Sequence, residues 1–430
     1  MPDLTEKFLP RIQETKIPGI DLPAELIHPQ YDGFSILNTP NSICKLLGAP
    51  PRNEIPALDP AILDPLGDEI DRVLVILMDA LALHRLQHWS EELPEMVWGK
   101  LMDDGILAPL TSISPSTTSA AMTTYWTATA PFAHGITGYE MWLKEYGIVV
   151  NSILHTPMSF KSGGVGLLEN AGFEPEEFLP VPPLDTHLAK FRIEAHAFQH
   201  YSIINSGLSQ MFFRDAKRHG IASPADLWHS MLELWQQPLE KKTFAWAYWS
   251  IVDSMSHSYG PDNPRIRSEF ASFSRDFEEI FLNQLSAEER KGTLVILTAD
   301  HGQIETDRYD PHYELRNHPE FLDLLHIRPT GENRLAFLHV QPGKIEAVKQ
   351  YVEHAWPGQF TLLDSLDAAE KGLFGPGEMH PDLPNRIGDL TAVANGEAFW
   401  WWGDRPNPIS GRHGGLGAQE MLVPFLATRL

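Results

Sequence analysis

Two continuous apolar runs constrain what this chain can fold into more than any other feature. Arg72-Val-Leu-Val-Ile-Leu-Met78 and Thr293-Leu-Val-Ile-Leu-Thr298 show no alternation of apolar and polar positions, so each predicts a strand buried on both faces. Such strands belong to the middle of a mostly parallel sheet with helices on both faces. Both runs end close to an acid: Asp79 directly after the first, Asp300 followed by His301 after the second. A third strand pattern, Thr243-Phe-Ala-Trp-Ala-Tyr-Trp-Ser250, leads straight into Asp253-Ser-Met-Ser-His257. The carboxyl ends of parallel strands are where open α/β sheets hold their ligands. Strands alternate with helical patterns, such as the one starting at Pro224 behind the N-cap Ser223, and this makes the chain α/β.

The remaining stretches are less regular. Residues 1–70 are rich in proline and read as a leader wrapping the surface, and residues 156–200 read as irregular. Residues 303–385 hold one strand pattern (Arg334 to Val340), a helix near 343–355 and much loop, which reads as an inserted cap within a single domain of residues 1–430. With 57 acidic against 33 basic residues the net charge is −24, which excludes a surface made to coat nucleic acid. A small phosphorylated substrate remains compatible, because bound cations reverse the local field. Cys44 is the only cysteine, so disulfides and multi-cysteine zinc sites are excluded. The opening residues carry no signal-peptide pattern and no run has the length of a membrane span, so a cytoplasmic protein is expected.

Ser114-Pro-Ser-Thr117 reads as a loop running into a helix of small and hydroxylated residues that starts at Thr118. The first N–H groups of a helix are free to face an anion, and a hydroxyl placed there is positioned to attack phosphorus. An alcohol needs a base or a metal ion to do so at neutral pH. An isolated Ser-Thr-Thr is ordinarily a capping cluster. Here it is accompanied by Asp79, Asp253, His257, Asp300, His301 and, in the Gly-rich turn near the end of the chain, His413. Singly each is more often structural than a ligand. Jointly, at successive strand ends, imidazoles and carboxylates without thiolates suit zinc, with manganese as the alternative. Six such ligands and Thr118 suffice for two divalent ions.

In order and content, Asp79, Pro-Ser-x-Thr118 with its Pro-x-x-His-Gly-Ile136 ending, Asp253-Ser-x-x-His257-x-x-Gly-Pro, Asp300-His-Gly and His413 resemble the type I phosphodiesterase/nucleotide pyrophosphatase family of the alkaline phosphatase superfamily. The resemblance implies an alkaline-phosphatase-like fold. It also implies one zinc held by Asp253, His257 and His413, and another by Asp79, Asp300 and His301, with Thr118 between them as the metal-bridging nucleophile. The reaction implied is a double displacement through phospho-threonine. Two positions depart from the family pattern. Ser119 stands where an aromatic residue that stacks on a nucleobase often follows the nucleophile, and Tyr139 stands where an Asn usually helps bind a phosphoryl oxygen. Tyr139 is therefore the candidate substrate-binding residue, its phenol replacing the amide as donor. The same superfamily contains phosphomonoesterases and phosphonate hydrolases, and monoesterases need extra cations; Lys144, Arg192, Arg214, Lys217, Arg316 and Arg334 are available. A non-catalytic metal-binding scaffold is the alternative outside enzymes. Tyr309, Tyr313 and Arg316 are candidate substrate-facing residues of the cap.

Overall fold

The structure, a computed structural model, describes residues 3–159 and 164–430. The apolar runs form the centre of a seven-stranded sheet made of β1 (Arg72–Met78), β2 (Ile106–Thr111), β3 (Glu194–His200), β4 (Lys217–Ile221), β5 (Thr243–Trp249), β6 (Thr293–Thr298) and β7 (Leu422–Arg429). Across the sheet the order is β2-β7-β6-β1-β5-β3-β4. All neighbouring pairs are parallel except those made by β7, which runs against β2 and β6. Every residue of β1 is buried, as its unbroken apolar pattern requires.

Aromatic side chains show what covers each face. On one face Trp126, from the helix Thr118–Thr127, packs against Phe244 and Trp246 of β5 at 5.8 and 5.6 Å between ring centroids. On the other, Trp249 of β5 meets Phe273 of the helix Pro264–Asp276 at 5.6 Å. Phe8, Ile12, Ile36, Leu37 and Ile43 bring residues 3–70 into the same core.

Register decides where the chemistry goes. Met78 lies beside Trp249, and Leu77 beside Thr298, so β1, β5 and β6 end along one line. Asp79, the helix Ile251–Tyr259 with Asp253, and Asp300 all leave the sheet on that edge. A second sheet, antiparallel throughout, is ordered Phe360–Asp364, Leu390–Ala394, Leu335–Leu338, Thr330–Glu332, Glu140–Leu143, Ile148–Asn151 and Thr156–Pro157.

One expectation needs correction: residues 156–200 are not irregular throughout, because β3 closes the stretch inside the central sheet. Its polar residues hide it from pattern reading. Glu194 and His196 bond to each other at 2.9 Å, and His196 Nδ1 meets His219 Nε2 of β4 at 3.0 Å, so the strand is satisfied by side-chain pairing as well as by burial.

Candidate active site

Three hydroxyls precede or open the helix Thr118–Thr127, and the structure separates their tasks. Ser116 Oγ donates to the carbonyl of Gly415 and Thr117 Oγ1 donates to Glu332, whereas Thr118 Oγ1 lies 3.1 Å from His301 Nε2. Because the Thr117 hydroxyl is committed to Glu332, it makes no side-chain cap, and the first-turn N–H groups of the helix stay open.

All six expected ligands come together, in the two sets named above. Asp79, Asp300 and His301 form one group, and Asp253, His257 and His413 the other; within each, the ligand atoms lie inside 4.8 Å of one another. The rings of His301 and His413 stack at 4.0 Å and join the two groups. Each of the three histidines has Nδ1 against a backbone carbonyl: Gly302 for His301, Gly411 for His257 and Ser116 for His413. A carbonyl only accepts, so Nδ1 carries a proton and Nε2 is the nitrogen turned toward the carboxylates. That is the arrangement in which an imidazole serves as a metal ligand.

The carboxylates are oriented as well. Tyr248 of β5 donates its phenol proton to Asp79, and Gln303 donates its amide to Asp253. Ala80, in the left-handed region at φ 63°, turns its N–H back to Asp300 Oδ1. Gly302 and Gly414 are glycines for want of space: a Cβ would strike the carbonyl of Gln419 in the first case and Glu332 in the second.

Asp79 Oδ1 and Asp300 Oδ2 are buried with no hydrogen-bond partner, an arrangement that is costly unless a cation supplies one. Electrostatics agrees. Burial and the neighbouring Asp300 and Asp253 carboxylates push Asp79 well above the usual carboxylate range. Burial also raises Asp300, against the pull of His301. Asp253 is lowered despite burial, because His257 and His413 face it. Crowded acids, orphaned oxygens and ring nitrogens turned inward fit divalent cations.

A cavity of about 480 Å³ opens over Thr118, walled by Tyr139, Glu140, Glu332, Trp401, Trp402 and Arg412, among others. Tyr139 is among its lining residues. Asn151 Oδ1 is occupied by the N–H groups of Ile153 and Leu154, so its amide nitrogen donates to Tyr139 Oη at 2.6 Å and the phenol proton is left to point elsewhere. The expected cap residues are not at the wall. Tyr309 is 77% exposed, Tyr313 packs on Phe399, and Arg316 pairs with Glu314. Glu140, Glu332 and Arg412 were not legible: nothing in the sequence around Thr330–Glu332 or Gly411–Arg412 marks them as cavity residues. Gln303 had a signal, since it directly follows Asp300-His-Gly.

Comparison with curated protein sequences finds no match. Among solved structures, the chain is similar to murine ectonucleotide pyrophosphatase/phosphodiesterase 5, with a TM-score of 0.59 at 18% identity over 83% of this chain and 87% of that one. Its human counterpart gives 0.58 at 17% identity, covering 83% and 87%. Phosphonoacetate hydrolase from Sinorhizobium meliloti, solved with phosphonoformate, gives 0.59 at 17%, covering 84% and 91%. These likenesses establish a shared fold. The family profile described as type I phosphodiesterase/nucleotide pyrophosphatase matches residues 73–416, which spans every element that carries the site. The chain therefore belongs to the type I phosphodiesterase/nucleotide pyrophosphatase family, a family of hydrolases acting on phosphoesters.

Proposed function

We propose that the protein hydrolyses small phosphodiesters, with Thr118 as nucleophile assisted by two divalent cations. The observation that carries this reading is the Thr118 hydroxyl, at the open N-terminus of its helix and 3.1 Å from His301, beside two separate three-ligand groups. Asp79, Asp300 and His301 would hold one ion, and Asp253, His257 and His413 the other, with zinc or manganese suited to these donors. Ions held there supply positive charge that favours the alkoxide of Thr118 and the developing charge on the leaving oxygen.

The chain's own residues do the rest. First-turn N–H groups receive a phosphoryl oxygen, and the Tyr139 phenol proton is free to donate to another. Thr118 Oγ1 bonds to phosphorus as it gives up its proton; the bond to the leaving alcohol breaks and the alcohol takes up a proton. Water then attacks phosphorus and restores the hydroxyl.

A diester is favoured over a dianionic monoester by the cavity wall. Lys144 bonds Asn385, Arg214 the carbonyl of Glu176, Lys217 bonds Glu194, and Arg334 is paired with Glu420, so these cations serve elsewhere. Arg412 is the one Lys or Arg lining the cavity among the described residues, and it shares the wall with two glutamates. Nitrophenyl mono-, di- and phosphonate esters assayed with zinc and with manganese test the reading. Diester hydrolysis that exceeds the other two is expected; a protein inert toward all three would be a scaffold.

A further inference from the structure

The cavity wall carries two carboxyl groups that the hydrolytic chemistry does not use. Glu332 Oε1 accepts from the Thr117 hydroxyl at 2.6 Å and from the Tyr139 N–H at 2.7 Å. Glu140 Oε2 accepts from Trp402 Nε1 at 3.0 Å. The second oxygen of each has no hydrogen bond and no ion pair among the described residues, although Glu332 is only 8% exposed. Arg328 attracts Glu140 through space and Arg412 attracts Glu332, but Arg412 forms no ion pair with either. Its guanidinium donates to Asn333 and Asn407 and lies 4.0 Å over the Phe399 ring, out of ion-pair reach of either glutamate.

Two acids in the wall of a cavity that must receive an anionic phosphate oppose it unless positive charge lies between, and each keeps one oxygen without a hydrogen-bond donor. Free acceptor oxygens call for N–H donors of positive charge, and a primary ammonium offers three. Tyr139, Trp401 and Trp402 line the same wall, and aromatic rings are favourable neighbours for a cation. We infer that the substrate carries an ammonium group on the arm attached to its phosphate, held by Glu140 and Glu332 while the phosphate sits at Thr118. This rests on the phosphodiesterase reading above and names the substrate class for it. Substrates with a carboxylate on that arm are rejected for the same reason.

The test uses zinc-reconstituted protein and three nitrophenyl phosphodiesters whose second arm is aminoethyl, n-propyl or carboxyethyl. The aminoethyl ester is expected to exceed the propyl ester in kcat/KM by about 10- to 100-fold, the worth of one or two charge-assisted hydrogen bonds. The carboxyethyl ester should fall below both. Glu332→Gln and Glu140→Gln should each pull the aminoethyl-to-propyl ratio toward one. Equal rates for aminoethyl and propyl esters, or a ratio unchanged in both variants, overturn the inference. Calorimetry with aminoethyl phosphate and propyl phosphate gives a readout independent of turnover. If none of the esters is hydrolysed, the phosphodiesterase reading fails. The ammonium site then stands only if aminoethyl phosphate binds more tightly than propyl phosphate in the wild type and loses that advantage in Glu332→Gln.

Discussion

Of the hydroxyls of Ser116, Thr117 and Thr118, only that of Thr118 meets a histidine of the cluster. Thr118→Ala is expected to abolish diester hydrolysis, by about 10³-fold or more in kcat, while Thr118→Ser retains a measurable fraction. Full activity in Thr118→Ala would move the nucleophile elsewhere. Tyr139→Phe removes the phenol proton but keeps the ring, so kcat/KM should drop by about 10- to 100-fold with metal content unchanged. Glu332 allows a test without substrate. Burial raises its carboxyl from 4.5 to about 7, against the hydrogen bonds from Thr117 and Tyr139. The folded state therefore keeps this proton where the unfolded chain has lost it. Stability must fall as pH rises from 4.5 through about 7, then level off. Metal-free wild type should lose up to about 3 kcal/mol relative to Glu332→Gln over that window, read by denaturant unfolding at pH 5 and pH 8. Parallel pH profiles for the two proteins would show that the carboxyl titrates normally.

At the scale of elements, the loop bearing His413 is held by a buried ion pair. Glu420 receives Arg334 Nε and Nη2 at 2.8 Å each, and also the N–H groups of Gly415 and Gly417. Glu420→Gln leaves the guanidinium without its counter-charge, at a cost of about 3–5 kcal/mol in unfolding free energy. A loss below 1 kcal/mol would mean that the pair contributes little. The same contrast explains what the sequence discloses. β1 and β6 announce themselves because burial on both faces forces an unbroken apolar run, and the ligands at their ends follow from strand geometry. β3 and β4 do not, because Glu194, His196 and His219 satisfy one another where apolar side chains would otherwise signal a strand. Glu140, Glu332 and Arg412 stay hidden for a related reason. They meet only when the Glu140–Leu143 strand, the Thr330–Glu332 strand and the short Gly411–Arg412 strand before His413 are brought together, and no local spacing encodes that meeting.

For the whole molecule, a net charge of −24 sits oddly with an anionic substrate unless the centre is locally positive. The parallel register of β1, β5 and β6 concentrates three Asp and two His at one sheet edge, His413 joins them from the segment before β7, and the orphaned oxygens of Asp79 and Asp300 mark where positive charge is required. No helix among the described residues is long and apolar enough to cross a membrane. The central claim is that this edge holds two cations, one in each three-ligand group beside Thr118. Elemental analysis after reconstitution with zinc and removal of excess metal tests it most directly. About two ions per chain are expected in the wild type, with Asp79→Ala and His413→Ala each keeping about one, as the separate three-ligand groups require. A wild type that retains no zinc, or two variants that both keep the full wild-type content, would contradict it.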